Sequence, residues 1–236
     1  MDTDEVDNEI VRLVISDLHL GAAYAKEELL CKLLANVECD ELILAGDIID
    51  FIKVPKFTEK TALLFELLNS LTCRKIYVIG NHDYAFKKFT GKTVSGIEFM
   101  DKYEFTYSGR KYRIEHGDKY QTGIIHWRIF MTLFSIFQDW VERNFSFNLA
   151  AFYVRWKKRK LKRIWDIVQW NNDVDVFIMG HTHKPEALIW VDQDENIKTY
   201  VNTGDWVDHQ TYVLIKNGNL RLKNYECAAD NYSSEE

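Results

Sequence analysis

The chain has 236 residues, of which 47% are hydrophobic and 28% charged, so its composition is that of a globular protein and excludes disordered and fibrous classes. Its formal net charge is −6, and this acidic balance argues against nucleic acid as a partner, because a nucleic-acid-binding domain is usually basic. An anionic substrate would therefore need a local positive feature to attract it.

The cysteines and the N-terminal residues predict an intracellular protein. The four cysteines form no C-x-x-C pair, so we interpret them as free thiols of a reducing compartment. The first nine residues are acidic and lack the basic and apolar regions of a signal peptide. The longest stretch without an acidic or basic residue, 144–154, is much shorter than the roughly 20 residues of a membrane-spanning helix. We therefore expect a cytoplasmic protein.

Short apolar runs, each followed by a cluster of Gly, Asp, His or Asn, recur along the chain. Runs bounded by such turn signals are typical of buried strands. They occupy residues 11–15, 41–45, 75–79, 112–115, 175–179 and 198–201. A further pair, 211–215 and 220–225, flanks Asn217-Gly218 and predicts a β-hairpin.

Leucines at helical spacing lie between the first predicted strands. One stripe consists of Leu29, Leu30, Leu33 and Leu34. A second stripe consists of Leu63, Leu64, Leu67, Leu68 and Leu71. Because strands alternate with amphipathic helices, the predicted fold class is α/β, with mixed sheets flanked by helices.

Residues 119–172 differ in character from the rest of the chain. They contain five of the seven tryptophans, and apolar residues repeat at helical spacing over 130–141 and 161–168. Between these stripes lies the run 155–163, with seven basic residues in nine. No linker divides the chain, so we predict a single domain over residues 1–236 with a helical cap inserted at about 119–172.

Polar side chains with metal-binding chemistry follow most of the predicted strands. In open α/β sheets the ligand site lies beyond the carboxyl ends of the strands, so these side chains should converge. They are Asp17, His19, Asp47, Asn81, His116, His181 and His183. Imidazole and oxygen ligands together suit divalent first-row metals, and seven ligands exceed the needs of one tetrahedral ion. We therefore expect two ions, whose charge would exceed that of the two carboxylates and attract a phosphate.

Five motifs give the chain a recognisable resemblance. They are Asp17-Leu-His19, Gly46-Asp47-x-x-Asp50, Gly80-Asn81-His82-Asp83, His116-Gly117-Asp118 and Gly180-His181-Thr182-His183. In this order they resemble the motifs of the calcineurin-like metallophosphoesterases. The resemblance implies an α/β sandwich and hydrolysis of a phosphoester or phosphoanhydride by a hydroxide that bridges two metal ions. Manganese is the expected metal, with iron, cobalt and zinc as alternatives.

The resemblance also assigns a role to each motif residue. The first ion would take Asp17, His19 and His183, the second would take Asn81, His116 and His181, and Asp47 would bridge both. His82 would act on the leaving oxygen or the phosphoryl group, with Asp50 bonded to its other ring nitrogen. Asp83, Asp118 and Asp205 are interpreted as turn residues or as residues that support the ligands.

The cap and the segment Tyr200–Trp206 are similar to those of the UDP-2,3-diacylglucosamine pyrophosphatase branch. That resemblance implies a nucleotide–lipid substrate, although members of this branch carry Arg where this chain has His82. Four basic residues of the cap are candidate substrate contacts: Arg155, Lys158, Arg159 and Lys162. The same basic helix would give peripheral contact with an anionic membrane.

Blander interpretations stay open for individual features. Each motif taken alone is typical of ordinary turns, and the aromatic stripes of the cap are typical of core packing. The basic run is also typical of a solvated helix face. Two other functions compete with the nucleotide–lipid hypothesis: a phosphodiesterase or phosphatase for soluble nucleotides or phosphoproteins, and a non-catalytic scaffold on the same fold. The sequence leaves the oligomeric state open.

Overall fold

The computed structural model describes residues 10–52, 54–120, 167–168 and 171–225. The chain divides into two compact units, one formed by Met1–Gly117 with Asp173–Glu236 and the other by Asp118–Asn172. The single-domain organisation with a helical cap stays a prediction, because most of residues 119–172 lie outside the described residues.

A seven-stranded mixed sheet forms one layer of the first unit. From edge to edge its strands are β12 (Asn219–Asn224), β11 (Thr211–Lys216), β1 (Val11–Ile15), β2 (Glu41–Ala45), β3 (Arg74–Val78), β5 (Ile97–Met100) and β4 (Lys92–Val94). The central strands β1, β2, β3 and β5 are parallel, whereas β4, β11 and β12 pair antiparallel. The carboxyl ends of β1, β2 and β3 therefore open at one edge of this sheet.

A five-stranded mixed sheet forms the second layer. From edge to edge its strands are β6 (Tyr103–Tyr107), β7 (Arg110–Ile114), β8 (Val176–Met179), β10 (Ile197–Asn202) and β9 (Glu186–Val191). Strands β7, β8 and β10 are parallel, and β6 and β9 pair antiparallel at the two edges. Chain segments 115–118 and 180–183, which carry two predicted motifs, follow the carboxyl ends of β7 and β8.

Two helices cover the seven-stranded sheet. Helix α1 spans Glu27–Asn36 and buries Leu30, Leu33 and Leu34, and helix α2 spans Glu59–Ser70 and buries Leu64 and Leu68. Helix α2 begins with a capping box in which Thr58 and Thr61 each bond the other's backbone N–H. A 3₁₀-helix, Tyr84–Phe89, follows the predicted Gly80–Asp83 motif.

Alternating residues of the seven-stranded sheet supply two separate cores. Leu13 and Ile15 of β1 pack with the leucines of the helices. Val14 faces the other way and packs with Ile114 and Ile178 of the second sheet. Successive side chains of a strand point to opposite faces of the sheet, so an apolar strand can be buried on both faces.

The predicted α/β sandwich is confirmed, and most elements lie where the sequence predicts them. The hairpin of β11 and β12 turns at Asn217 and Gly218, which both have positive φ angles of 49° and 68°. The prediction that Leu63 belongs to the packed stripe of α2 is wrong, because this side chain is 61% exposed. Strands β4, β5, β6 and β9 were not predicted.

The second unit is described at its two ends. A 3₁₀-helix spans Asp118–Tyr120, and the Tyr120 hydroxyl donates to Asn171 Oδ1 at 3.0 Å. Ile167 and Val168 are buried. The basic residues Arg155, Lys158, Arg159 and Lys162 lie outside the described residues, so their predicted role as substrate contacts stays a prediction.

No helix in the described parts of the chain is long and apolar enough to cross a bilayer. The cysteines of those parts, Cys31, Cys39 and Cys73, are free.

Candidate metal centre

The strand-end loops of both sheets bring the predicted ligands together. The Asp17 N–H donates to Gly46 O at 3.0 Å and the His19 N–H to Asp47 O at 3.0 Å, which joins the loops after β1 and β2. The His181 N–H, from the loop after β8, donates to Asp17 Oδ2 at 3.0 Å. The Gly180 N–H donates to His116 O at 3.1 Å, which joins the loops after β7 and β8.

The backbone at these loops is strained. Positive φ angles occur at Asp17 (55°), His19 (49°), Asp47 (54°), His181 (65°) and His183 (57°). This left-handed conformation costs a non-glycine residue roughly 1–2 kcal/mol, and it persists where surrounding contacts hold it, typically at functional sites. Five of the seven predicted ligands share this left-handed conformation, so the orientation of these side chains is maintained at a cost in folding stability.

The first group of candidate ligands consists of Asp17, His19 and His183, whose ligand atoms lie within 4.8 Å of one another. His183 Nε2 is 3.1 Å from Asp17 Oδ1 and 3.2 Å from His19 Nε2. Burial, followed by the charge of His82, lowers the pKa of His19 to about 4. The imidazole of His19 is therefore neutral at neutral pH, which is the form that binds metals.

The second group consists of Asp47, His116 and His181, with Asn81 beside them. His116 Nε2 lies 3.1 Å from Asp47 Oδ2, 3.2 Å from Asn81 Oδ1 and 3.2 Å from His181 Nδ1. The other ring nitrogen, Nδ1, lies 3.1 Å from the carbonyl oxygen of Ala45. A carbonyl only accepts, so Nδ1 carries a proton, and in the neutral form of the ring the Nε2 lone pair faces the other candidate ligands.

His82 and Asp50 form a pair at the side of these groups. His82 Nδ1 lies 2.9 Å from Asp50 Oδ1, and His82 Nε2 lies 3.7 Å from Asp47 Oδ2. The backbone N–H of His82 donates to Asp47 Oδ1 at 2.7 Å. Burial acts to lower the pKa of His82, but the Asp47 and Asp50 carboxylates outweigh it and raise the pKa. This environment favours the protonated ring, which is the form that can donate a proton.

Buried polar residues that are not candidate ligands hold the loops in place. Asp83 accepts hydrogen bonds from the N–H groups of Ile48, Ile49 and Gly80 and from the Tyr77 hydroxyl. Burial, followed by the charge of Asp47, raises the pKa of Asp83 to about 6. Asp205 accepts from three successive N–H groups, those of Val207, Asp208 and His209. Asp83 and Asp205 therefore make the turn or supporting contacts that the sequence predicts for them.

Sequence reasoning missed Ser16 and Asn202 at this centre. The Ser16 hydroxyl donates to Asp17 Oδ2 at 2.5 Å, and Asn202 Nδ2 donates to Gly180 O at 2.8 Å. Ser16 stands directly before Asp17, and Asn202 directly follows a predicted strand, so each position carried a weak signal. Neither residue type at such a position is specific enough to predict the contact.

The sequence profile of calcineurin-like phosphoesterases matches residues 11–185, about three quarters of the chain. The chain belongs to the calcineurin-like phosphoesterase family. The matched range includes all seven candidate ligands together with the pair His82 and Asp50.

Curated relatives of this phosphoesterase carry a more specific name. The UDP-2,3-diacylglucosamine hydrolase of Vibrio cholerae serotype O1 is 27% identical over 237 aligned residues, which cover 86% of this chain and 93% of the relative. The protein of the same name from Vibrio atlanticus is 25% identical, and the alignment covers 90% of this chain and 96% of that one. Family and relatives together identify the phosphoesterase as a metal-dependent hydrolase, as predicted.

Solved structures also resemble this phosphoesterase. The structure of Yfce, a phosphoesterase from E. coli, matches with a TM-score of 0.49 and 14% identity, over 92% of this chain and 94% of that chain. The structure of Vps29 from Chaetomium thermophilum matches with a TM-score of 0.46 and 14% identity, over 91% of this chain and 95% of that chain.

The divalent ions that the phosphoesterase family implies fit the residues present. Asp17 Oδ1 is buried and accepts no hydrogen bond of proper geometry, and His19 Nδ1 is buried without a partner among the described residues. Ring nitrogens of His19 and His183, and of His116 and His181, approach each other at 3.2 Å. Lone pairs of carboxylates and neutral imidazoles at such distances repel unless protons or cations lie between them. The centre is therefore able to hold metal ions.

Proposed function

We propose that the chain hydrolyses the phosphoanhydride of a nucleotide–lipid of the UDP-2,3-diacylglucosamine type. The observation that carries the proposal is the convergence of two three-residue groups, one on Asp17 and one on Asp47, at the carboxyl ends of both sheets. In this proposal two divalent ions, manganese in the first place, occupy the groups.

The proposed ligand sets divide the seven side chains between two ions. The first ion takes Asp17, His19 and His183, the second takes Asn81, His116 and His181, and Asp47 contributes to both. Contacts between Asp47 Oδ2 and His116 Nε2 at 3.1 Å, and between Asp17 Oδ1 and His183 Nε2 at 3.1 Å, support this division. Bound divalent ions supply an activated hydroxide and stabilise charge on the phosphoryl oxygens.

In this proposal the side chains of His82 and Asp50 orient the substrate and transfer a proton. Asp50 accepts from Nδ1 of His82, which fixes the ring and leaves Nε2 directed toward Asp47. A protonated His82 can give its Nε2 proton to the oxygen of the leaving group. Asp50 is a positioning residue in this scheme, since it acts through His82.

The names of the curated relatives support the nucleotide–lipid substrate. In this proposal the apolar and aromatic cap receives the acyl chains, and Arg155, Lys158, Arg159 and Lys162 contact the substrate's phosphates or an anionic membrane. We further propose that the protein works at the cytoplasmic face of a membrane without spanning it.

A second candidate activity is the hydrolysis of soluble phosphodiesters. His82 favours it, because the resemblance drawn from the sequence places Arg at this position in the nucleotide–lipid branch. An imidazole can donate a proton at neutral pH, whereas a guanidinium stays charged and cannot. A substrate with a poor leaving group would therefore benefit from His82 more than a nucleotide–lipid would.

One comparison of substrates tests the proposal. With manganese present, we expect UDP-2,3-diacylglucosamine to be cleaved with a kcat/KM at least tenfold above those of simple UDP-sugars and of a chromogenic phosphodiester, because only the first offers acyl chains to bind. Equal or faster cleavage of the acyl-free compounds would reject the lipid substrate and leave the second activity. Absence of turnover on all three would reject both.

Two variants make the comparison sharper. His82→Ala should retain bound metal and lose about 10²–10⁴-fold in kcat, the usual contribution of a positioned acid or base. His82→Arg is the matched variant: if the nucleotide–lipid is the substrate, it should cleave that lipid faster than His82→Ala does. Equal rates in the two variants would argue against the nucleotide–lipid substrate, because Arg at this position would then bring none of the expected benefit.

A further inference from the structure

Two segments beside the metal centre share an unusual composition. The first is 20–26, with the sequence LGAAYAK, and the second is 51–57, with the sequence FIKVPKF. We call them together the docking loops. They contain three lysines and no acidic residue, in a chain whose net charge is −6.

Large apolar side chains stand out of the docking loops into solvent. Val54 is 88% exposed, Phe57 is 51% exposed and Tyr24 is 49% exposed. The described part of the chain has ten large hydrophobic side chains that are more than a third exposed, and three of them belong to these two short segments. Exposed apolar groups that cluster are typical of interaction sites, whereas scattered ones are not.

The docking loops are tied to each other and to the protein below. The Lys56 N–H donates to Gly21 O at 3.0 Å, which joins the two segments. Gly21 has a φ of +89°, and a Cβ there would collide with Pro55. The Phe57 ring packs edge-on against Phe65 of α2 with centroids 5.6 Å apart. The exposed side chains are therefore presented on a defined surface.

The same loops border the centre described above. Segment 51–57 begins directly after Asp50, and the Ile52 N–H donates to Asp50 Oδ1 at 3.1 Å. Tyr24 presents its ring to His19 with centroids 6.2 Å apart. A surface on which these side chains rest would lie next to the candidate ligands.

The charge around the docking loops is favourable for an anionic surface. Lys26 and Lys56 are exposed, and Lys53 adds a third cation in the sequence. The acidic residues that begin α1 have partners of their own: Glu27 accepts from the Thr61 hydroxyl at 2.8 Å, and Glu28 pairs with Lys60 at 2.6 Å. Asp50, directly before segment 51–57, is paired with His82 at 2.9 Å, which leaves Glu59, at the start of α2, as the other carboxylate nearby in sequence.

We propose that the docking loops seat the protein on an anionic phospholipid bilayer. Val54 and Phe57 would enter the boundary between headgroups and acyl chains, Tyr24 would lie at the headgroup level, and the lysines would meet lipid phosphates. The purpose of this contact rests on the proposed function, since an amphiphilic substrate resides in such a bilayer. The contact itself requires no turnover and is independent of the basic run 155–163.

Sedimentation with lipid vesicles tests the docking surface. The full-length protein is mixed at low salt with vesicles of phosphatidylglycerol and phosphatidylcholine, and in parallel with vesicles of phosphatidylcholine alone. We expect retention on the anionic vesicles, with Val54→Asp lowering the partition coefficient about tenfold and Lys56→Gln lowering it about fivefold. Leu63→Asp is the matched control, because Leu63 is a similarly exposed apolar residue on α2, outside the docking loops. It should bind like the wild type.

The outcomes separate this inference from its alternatives. Equal retention of wild type, Val54→Asp and Leu63→Asp would overturn it, and so would an equal loss in both aspartate variants. A raised KM of Val54→Asp for detergent-dispersed substrate, with unchanged vesicle retention, would make the loops a substrate site instead. Cleavage of a chromogenic phosphodiester by Val54→Asp at the wild-type rate shows that the variant is folded. If no substrate is turned over while retention depends on Val54, the proposed function fails and the docking surface stands.

Discussion

Two glycines allow carboxylates to approach the strand-end loops closely. A Cβ at Gly80 would collide with Asp47 Oδ1 and with the Asp47 backbone nitrogen. A Cβ at Gly180 would collide with Asp17 Oδ2 and with the Ser16 hydroxyl. These contacts involve the carboxylate oxygens themselves, so a methyl group at either position must displace a candidate metal ligand.

Gly80→Ala is expected to weaken manganese binding about 10–100-fold, because displacing a ligand acts like removing one of the residues that orient it. Calorimetric titration of metal-free protein measures this. Gly91→Ala is the control, since nothing lies within 4 Å of a Cβ there, and it should retain wild-type affinity. Unchanged affinity in Gly80→Ala would contradict the assignment of Asp47 as a ligand.

The sequence predicts the candidate ligands better than the residues that support them. Asp17, Asp47 and His116 each follow a predicted strand, so their position at the carboxyl end of a strand was predictable. The contact of His116 Nδ1 with Ala45 O joins two sheets and depends on their packing, which no local pattern encodes. The left-handed backbone of His181 and His183 is likewise a tertiary property, because histidine itself does not require it.

At the scale of elements, the start of α2 links both helices. The Thr61 side chain is fully buried. Its hydroxyl accepts a hydrogen bond from the Thr58 N–H at 3.0 Å and donates one to Glu27 Oε1 at 2.8 Å. One hydroxyl thus serves the capping box and the contact between α2 and α1. Its loss would leave a backbone donor and a carboxylate without their partner.

Thr61→Val, which retains the shape of the side chain, should lower the free energy of unfolding by about 1–3 kcal/mol. Urea denaturation measures the change. Thr93→Val, on the exposed strand β4, serves as the control and should change stability by less than about 0.5 kcal/mol. A Thr61→Val protein as stable as this control would show that the capping box contributes nothing measurable.

Elements with a simple pattern were predictable and those shaped by their neighbours were not. Apart from Arg12 and Glu41, which pair with each other, strands β1 and β2 are apolar, because helices cover one face and the second sheet covers the other. Strand β6 alternates exposed residues with buried or half-buried ones, and β4 is exposed throughout, so neither has the pattern of a strand that is buried on both faces. In α2 the exposed Leu63 fits helical spacing as well as its buried neighbours do, and spacing alone cannot distinguish them.

At the scale of the whole molecule, the candidate centre joins the two sheets of the first unit. Asp17 and Asp47 follow strands of the seven-stranded sheet, whereas His116, His181 and His183 follow strands of the five-stranded sheet. Ions bound by both sets would favour the folded chain, because the unfolded chain cannot assemble them.

Removing metal should therefore lower the melting temperature. At manganese concentrations about 100 times the dissociation constant, binding contributes about 2.7 kcal/mol, which corresponds to roughly 5–10 °C for a chain of this size. Differential scanning fluorimetry with and without chelator measures the shift. Asp47→Asn should reduce the shift, and a shift of full size in that variant would exclude Asp47 from the metal sites.

The central claim is that side chains from both sheets hold two metal ions, and the metal content of the protein tests it most directly. Purified protein is loaded with manganese and freed of excess metal by gel filtration. Its metal content is then measured by inductively coupled plasma mass spectrometry. We predict about two manganese ions per chain for the wild type and fewer for Asp47→Asn, the variant that loses the proposed bridge. Wild-type protein that emerges without any bound transition metal would contradict the account.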